Sequence, residues 1–118
     1  MDTIQRDCAE LAAEYWKLLR AFERAARIAP EAARARLLAQ VRYADERLST
    51  ISARLGMRVV SFDGVKFEVN LPATAVNAED IGSDRDSTVE RTLEPAIISE
   101  NSVILSGKVF LTETKVED

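Results

Sequence analysis

The chain has 118 residues, 47% hydrophobic and 31% charged, which suits one typical domain or two small ones with a packed core and a solvated surface. It has no histidine and a single cysteine, Cys8, which excludes an internal disulfide, Ser–His and Cys–His nucleophile pairs, and the commonest zinc ligand. The net charge of −4 is unevenly spread: residues 1–57 hold ten Lys/Arg against eight Asp/Glu and residues 58–118 six against twelve, so no strongly basic half invites nucleic acid.

No apolar run approaches the roughly 18 residues that cross a bilayer. The N-terminus begins with acidic Asp2 and mixes polar with apolar residues, unlike a secretory signal. A cytoplasmic protein touching neither membrane nor nucleic acid is expected. The four glycines are scattered and form no phosphate-binding loop, so no cofactor is expected either.

Residues 2–28 contain neither Gly nor Pro. Their apolar positions Ile4, Cys8, Leu11, Tyr15, Leu18, Phe22 and Ala25 advance in alternating steps of four and three, a heptad pattern. Leu19 and Ala26 widen the stripe, as in core-facing bundle helices. Pro30 disfavours helical geometry in the residue before it and suits the first turn of a new helix. The first helix therefore ends near Ala29, and a second runs to about Leu55. The second stripe is Leu37, Val41, Ala44, Leu48, Ile51 and Leu55, and Gly56 stands where a left-handed cap is wanted.

Two helices of about 25 residues, each about 38 Å long, joined tightly, predict an antiparallel hairpin. They cannot cover Trp16, Leu19 and Leu38 as well as the seam. A homodimer forming a four-helix bundle is the expected remedy; a lone hairpin packed on its own β domain is the alternative. The expected dimer interface is Leu11, Tyr15, Trp16, Leu18, Leu19 and Phe22 on the first helix. On the second it is Leu37, Leu38, Val41, Leu48, Ile51 and Leu55. Trp16 reads as an anchor, since tryptophan is enriched at interfaces.

From Arg58 the period changes. Residues 58–62 carry Val59, Val60 and Phe62, and Asp63-Gly64 is a two-residue hairpin signal. Val65, Phe67, Val69 and Leu71 alternate with Lys66, Glu68 and Asn70, predicting a half-buried strand that Pro72 ends. Residues 77–87 read as a polar loop. Thr88, Val89 and Leu93 suggest a strand, Pro95 interrupts it, and Ile97-Ile98 resumes. Glu100-Asn101-Ser102 reads as a turn, followed by Val103-Ile104-Leu105 and Val109-Phe110-Leu111, divided by Ser106-Gly107. About six short strands predict a small sandwich or closed roll. The expected fold class is α+β: a helical hairpin over residues 1–56, a small all-β domain over 57–113 and a charged tail over 114–118.

Candidate chemistry is thin. Asp80, Asp84 and Asp86 form an acidic loop, but calcium-loop spacing is absent. Glu68 and Glu90 fall at solvent-facing strand positions. Cys8 lies on the seam with no feature that lowers its pKa, so it reads as a small core residue. Arg20, Arg24, Arg27, Arg34 and Arg36 cluster near the hairpin turn. They read either as a solvated face with pairs such as Arg20–Glu23 or as a surface for an acidic partner.

At the join of the halves, Leu55-Gly56-Met57-Arg58-Val59-Val60, then Gly64, then Phe67-Glu68, resembles the start of the β domain in the GrpE family. Thr88-Val89, Leu93, Ile97-Ile98, Val103-Ile104 and Val109-Phe110-Leu111 are similar, in step and without gaps, to that family's Thr-Val, Leu, Tyr-Leu, Val-Leu and Val-Val-Val. Leu18-Leu19-Arg20-Ala21-Phe22-Glu23-Arg24-Ala25 is similar to its helix reading Leu-Leu-Pro-x-x-Asp-Asn-Leu-Glu-Arg-Ala. Where the family has Leu-Arg-Pro-Ala, this chain has Ile104-Leu105-Ser106-Gly107, and the family's long leading helix has no counterpart.

The resemblance implies a non-enzymatic co-chaperone: a dimer whose β wing binds the nucleotide-binding domain of a DnaK-type chaperone ATPase and speeds adenine nucleotide exchange. The alternative is a dimeric adaptor or scaffold whose β domain binds a non-chaperone protein. In either case the expected partner-binding residues, from turn position and expected exposure, are Ile97, Asn101, Ile104, Leu105 and Lys108.

Overall fold

The computed structural model describes residues 3–81, 86–100 and 102–114. The fold is α+β. Helices α1 (Thr3–Arg27) and α2 (Glu31–Arg54) precede strands β1 (Arg58–Val60), β2 (Ala73–Ala75), β3 (Ser87–Glu94), β4 (Ala96–Ser99), β5 (Ser102–Leu105) and β6 (Gly107–Glu113). The two helices have 25 and 24 residues, so their lengths match.

The breakers act where the sequence places them. Pro30 caps α2, its carbonyl accepting the N–H groups of Ala33 at 2.9 Å and Arg34 at 3.1 Å. At the far end Gly56 takes φ 73°. Its N–H reaches the Ala53 carbonyl at 3.0 Å, while Met57 N–H reaches Ser52 at 2.9 Å. That is the paired closure of a Schellman cap, and it turns Met57 back into the core.

Helix α1 lies on the sheet β1-β4-β5 through its small residues. Ala9, Ala12 and Ala13 are buried against Met57, Ile97 and Ile104, ringed by half-buried Cys8, Leu48, Val59 and Leu105. A methyl at each contact lets the helix approach the sheet closely. The second sheet has the order β2-β6-β3, with β2 parallel and β3 antiparallel to β6. Phe62, Val89, Ala96, Val109 and Leu111 form its core.

One bent ribbon builds most of both sheets. β3 and β4 make one arm, β5 and β6 the other, with Glu100 (φ 50°) in the turn between. Glu94 pairs with Lys108 on one side of the bend and Ile97 with Leu105 on the other. Pro95, having no N–H, breaks the ladder between them, so each arm changes sheet there.

The expected hairpin at Asp63-Gly64 does not form, and residues 65–71 are not a strand paired with β1. Two side-chain bonds redirect the chain. Phe62 N–H donates to Thr92 Oγ1, and Thr92 N–H donates to Asp63 Oδ1, both at 2.8 Å. Residues 64–67 then run beside β3, with Gly64 N–H on the Val89 carbonyl and Phe67 N–H on that of Ser87. Val65 and Val69 are left exposed. Nor are residues 77–87 only a solvated loop. Asn77 is buried, and its side-chain amide pairs with both backbone groups of Leu111 at 2.8 Å, standing in for a strand neighbour. Strand β2, just before it, is not foreshadowed by the sequence pattern.

Gly107 sits inside the bend. A Cβ there would stand 2.9 Å from the Glu94 carbonyl oxygen, 3.1 Å from Ala96 N and 3.2 Å from the Phe62 ring. Two of these neighbours are backbone and cannot step aside. Gly107→Ala is expected to destabilise the fold by about 1–3 kcal/mol, the usual cost of overpacking. Urea denaturation checks it, and a loss below about 0.5 kcal/mol would show that the bend tolerates a methyl.

Candidate functional site

Helix α1 carries two apolar faces. At 100° per residue the centres of Ala9-Ala12-Ala13-Trp16 and of Ile4-Leu11-Tyr15-Leu18-Phe22 are about 140° apart. The first face is spent on the β domain. The second is bare, with Leu11 71% and Leu18 69% exposed, and Ile4, Tyr15 and Phe22 exposed with them. On α2, Ile51 and Leu55 are exposed, Leu37, Leu38 and Leu48 half-buried, and Val41 buried. Cys8, Leu11, Tyr15, Leu48, Ile51 and Leu55 line an apolar groove of about 240 Å³ between the helices. Of the expected interface residues, three do not lie bare on this face: Val41, which is buried within the protomer, Trp16 and Leu19. Trp16 belongs to the alanine face, is only 8% exposed, and packs inside the protomer. Leu19, between the faces, is half-buried.

Arg20 ties the helices together. Its guanidinium Nη2 binds both carboxylate oxygens of Asp45 at 2.6 Å and lies over the Trp16 ring, 5.2 Å from the centroid. One nitrogen thus sits against both carboxylate oxygens while the flat guanidinium covers the ring, a stacking that a lysine ammonium does not reproduce. The Arg20–Glu23 contact expected from sequence is looser, at 3.9 Å.

The partner residues expected on the β domain need correction. Ile97 is 0% and Ile104 5% exposed, both in the core beneath α1. Their side chains point to the sheet face that the helix covers, so neither presents a surface to a partner. Leu105 is half-buried at the edge of that same core. Lys108 is exposed and binds Glu94 at 3.2 Å. Asn101 lies outside the described residues.

The open surface is the outer face of β3 and β6. Along β6, Val109 and Leu111 point inward while Lys108, Phe110 and Thr112 point out. Phe110 is 38% exposed and pairs across the ladder with Arg91. Asp63 and Glu90 border the same shallow hollow. Sequence alternation along β6 is the signal that could have singled out Phe110. Strand alternation alone, without the inward side being known, left the face of β4 and β5 unassigned.

Of the acidic loop, Asp80 and Asp86 are described and Asp84 is not. Lys66 Nζ approaches Asp86 at 4.0 Å. Among the described residues no group of three or more acidic or thiol side chains is gathered to hold a metal. No helix is long and apolar enough to cross a membrane, among the described residues.

No protein-family model, curated protein sequence or solved structure matches the chain.

A charged clasp fastens α1 to the ribbon. Lys17 Nζ meets Glu14 at 2.7 Å and Glu94 at 3.0 Å. These hydrogen bonds, Glu14 first, hold the lysine above its ordinary 10.5. The bond from Lys17 holds the Glu94 carboxyl below its ordinary 4.5, against some desolvation, with Lys108 adding to the effect. A lowered acid stabilises the fold above its unfolded value and stops doing so as pH falls through its folded value; the raised lysine loses its contribution only at alkaline pH. Glu94→Gln is therefore expected to be less stable than the parent at about pH 7, with a smaller gap at about pH 3. Urea midpoints at the two pH values check it, and a gap that stays constant would assign the loss to packing.

Proposed function

We propose that this chain is a GrpE-like co-chaperone: a cytoplasmic homodimer that promotes adenine nucleotide exchange on a DnaK-type chaperone ATPase. The observation that carries the reading is the bare heptad face of a matched helical hairpin whose other face bears a compact β domain. The residues of the resemblance support it by where they fall. Leu55-Gly56-Met57 forms the cap that turns α2 into β1. Thr88-Val89, Ile97-Ile98, Val103-Ile104 and Val109-Phe110-Leu111 lie in β3, β4, β5 and β6.

The bare face suits a second copy. Two helices about 36 Å long and each about 10 Å wide present about 700 Å² per protomer. A stable standard interface buries about 800 Å² per partner, so the footprint is of the right size, and Leu11, Leu18 and Phe22 would stand in water without a partner. Joined through these faces, two hairpins make a four-helix bundle with knobs-into-holes packing on the Leu11-Tyr15-Leu18-Phe22 stripe.

The chain makes and breaks no bond in this reading. The β domain binds an open nucleotide cleft better than a closed one, and the partner's population shifts toward the state that releases ADP. Phe110, exposed on a polar sheet face, is the anchor of that contact; isolated aromatics ringed by polar groups are typical of binding hot spots.

A second reading is favoured by Ile104-Leu105-Ser106-Gly107, which lacks the arginine of the family's Leu-Arg-Pro-Ala. It makes the chain a dimeric adaptor whose β domain serves a non-chaperone protein.

The solution mass is expected to be twice 13.1 kDa. Leu11→Asp combined with Leu18→Asp is expected to weaken self-association at least about a hundredfold, a cost of roughly 2.7 kcal/mol. Sedimentation reads both, and a folded wild-type monomer at micromolar concentration would remove the dimer. The exchange reading is tested by release of labelled ADP from the DnaK-type ATPases of the same cell. Wild type is expected to accelerate it, and Phe110→Asp to lose at least about tenfold of that acceleration with the dimer intact. Failure to accelerate release from any of them sinks the exchange reading and leaves the adaptor.

A further inference from the structure

The geometry points to a basic docking site between α1 and β3: a recess that takes a carboxylate-bearing segment of the partner ATPase. The inference rests on the exchange reading and names the chemistry of its contact. The recess encloses about 120 Å³ and is walled by Trp16, Lys17, Arg20 and Arg24 of α1 and by Arg91 and Thr92 of β3. Residues 16, 20 and 24 recur every fourth position and so share one helix face. Four cationic side chains converge there on a chain whose net charge is −4.

These cations are not equivalent. Lys17 is held by Glu14 and Glu94. Arg20 is held by Asp45, yet its Nε is buried and has no hydrogen-bond partner. The guanidinium groups of Arg24 and Arg91 make no ion pair or hydrogen bond among the described residues. They stand on opposite walls, one from the helix and one from the strand. Two free forks facing one small hollow suit a carboxylate, which accepts such forks in pairs. The wall beneath is the Trp16 ring with Arg20 stacked on it, a surface that lowers local water content and strengthens the pairing.

Arg91 also lines the hollow that holds Phe110. The charged recess and the aromatic anchor are therefore continuous, and a partner segment with an acidic residue beside an apolar one would engage both. Arginines and aromatics are the side chains over-represented at interface centres.

The full-length protein is titrated into a DnaK-type ATPase from the same cell, with affinity read at low and at physiological salt. Arg24→Glu with Arg91→Glu is expected to raise Kd at least about tenfold and to flatten its salt dependence. Both side chains are exposed, so dimer mass and melting temperature should not move; the single changes Arg24→Ala and Arg91→Ala decide the matter if the double variant unfolds. Arg36→Glu with Arg42→Glu, exposed charges on α2 outside the recess, makes the same change in net charge and should leave Kd unchanged. Wild-type binding with the Arg24 and Arg91 variants within about twofold of it overturns the recess while sparing the exchange reading. Absence of wild-type binding overturns both.

Discussion

The structure depends on helix α1 serving two masters at once. Its alanine face is fixed to the first sheet by Met57, Ile97 and Ile104. The consequence is geometric: once Ala9, Ala12 and Ala13 are turned inward, Leu11, Leu18 and Phe22 have to face out. No rotation of the helix satisfies both, because the two stripes lie about 140° apart on one rigid cylinder. Cys8 and Leu19 sit at the seam between the faces, which is why both are half-buried. The Arg20–Asp45 chelate and the Lys17–Glu94 bridge hold this orientation from either side, one fastening α1 to α2 and the other to the ribbon.

The β domain is organised by a bend and two polar clasps more than by alternation. A proline on one arm and a glycine on the other let the ribbon turn from one sheet into the next. The proline is Pro95, on the first arm, and Gly107 fills the tight inner position of the second. One missing N–H is enough to interrupt the ladder. Leu105, just before the bend on the second arm, leans on the helix–sheet core and offers a partner no charge.

The helices are legible from sequence because a heptad repeat, a proline and a capping glycine all agree, and each acts locally. The ribbon strands are legible for the same reason. Residues 65–71 mislead because their alternation is real, but the partner strand is chosen by Thr92 and Asp63, bonded across a long loop of chain. No periodicity encodes such a choice. Asn77 hides in the same way, a buried amide imitating backbone within a polar stretch. Trp16, Ile97 and Ile104 are misplaced for want of one fact. Three alanines of α1, not its large side chains, decide which helix face meets the sheet, and with it which faces of β4 and β5 are covered.

The separation of the two outward surfaces explains how such a chain can keep its architecture and change its contacts. The heptad face uses only helix residues, and its demands are bulk and spacing. The outer face of β3 and β6 uses alternate strand residues whose opposite neighbours, Val89, Val109 and Leu111, carry the core. Substituting Phe110, Lys108 or Arg91 therefore leaves each core neighbour in place. Drift on that face costs little stability, whereas drift on the alanine face would unseat the domain. The arginine recess lies at the border between the two, where the core-bound helix meets a strand whose outer side chains are free of the core.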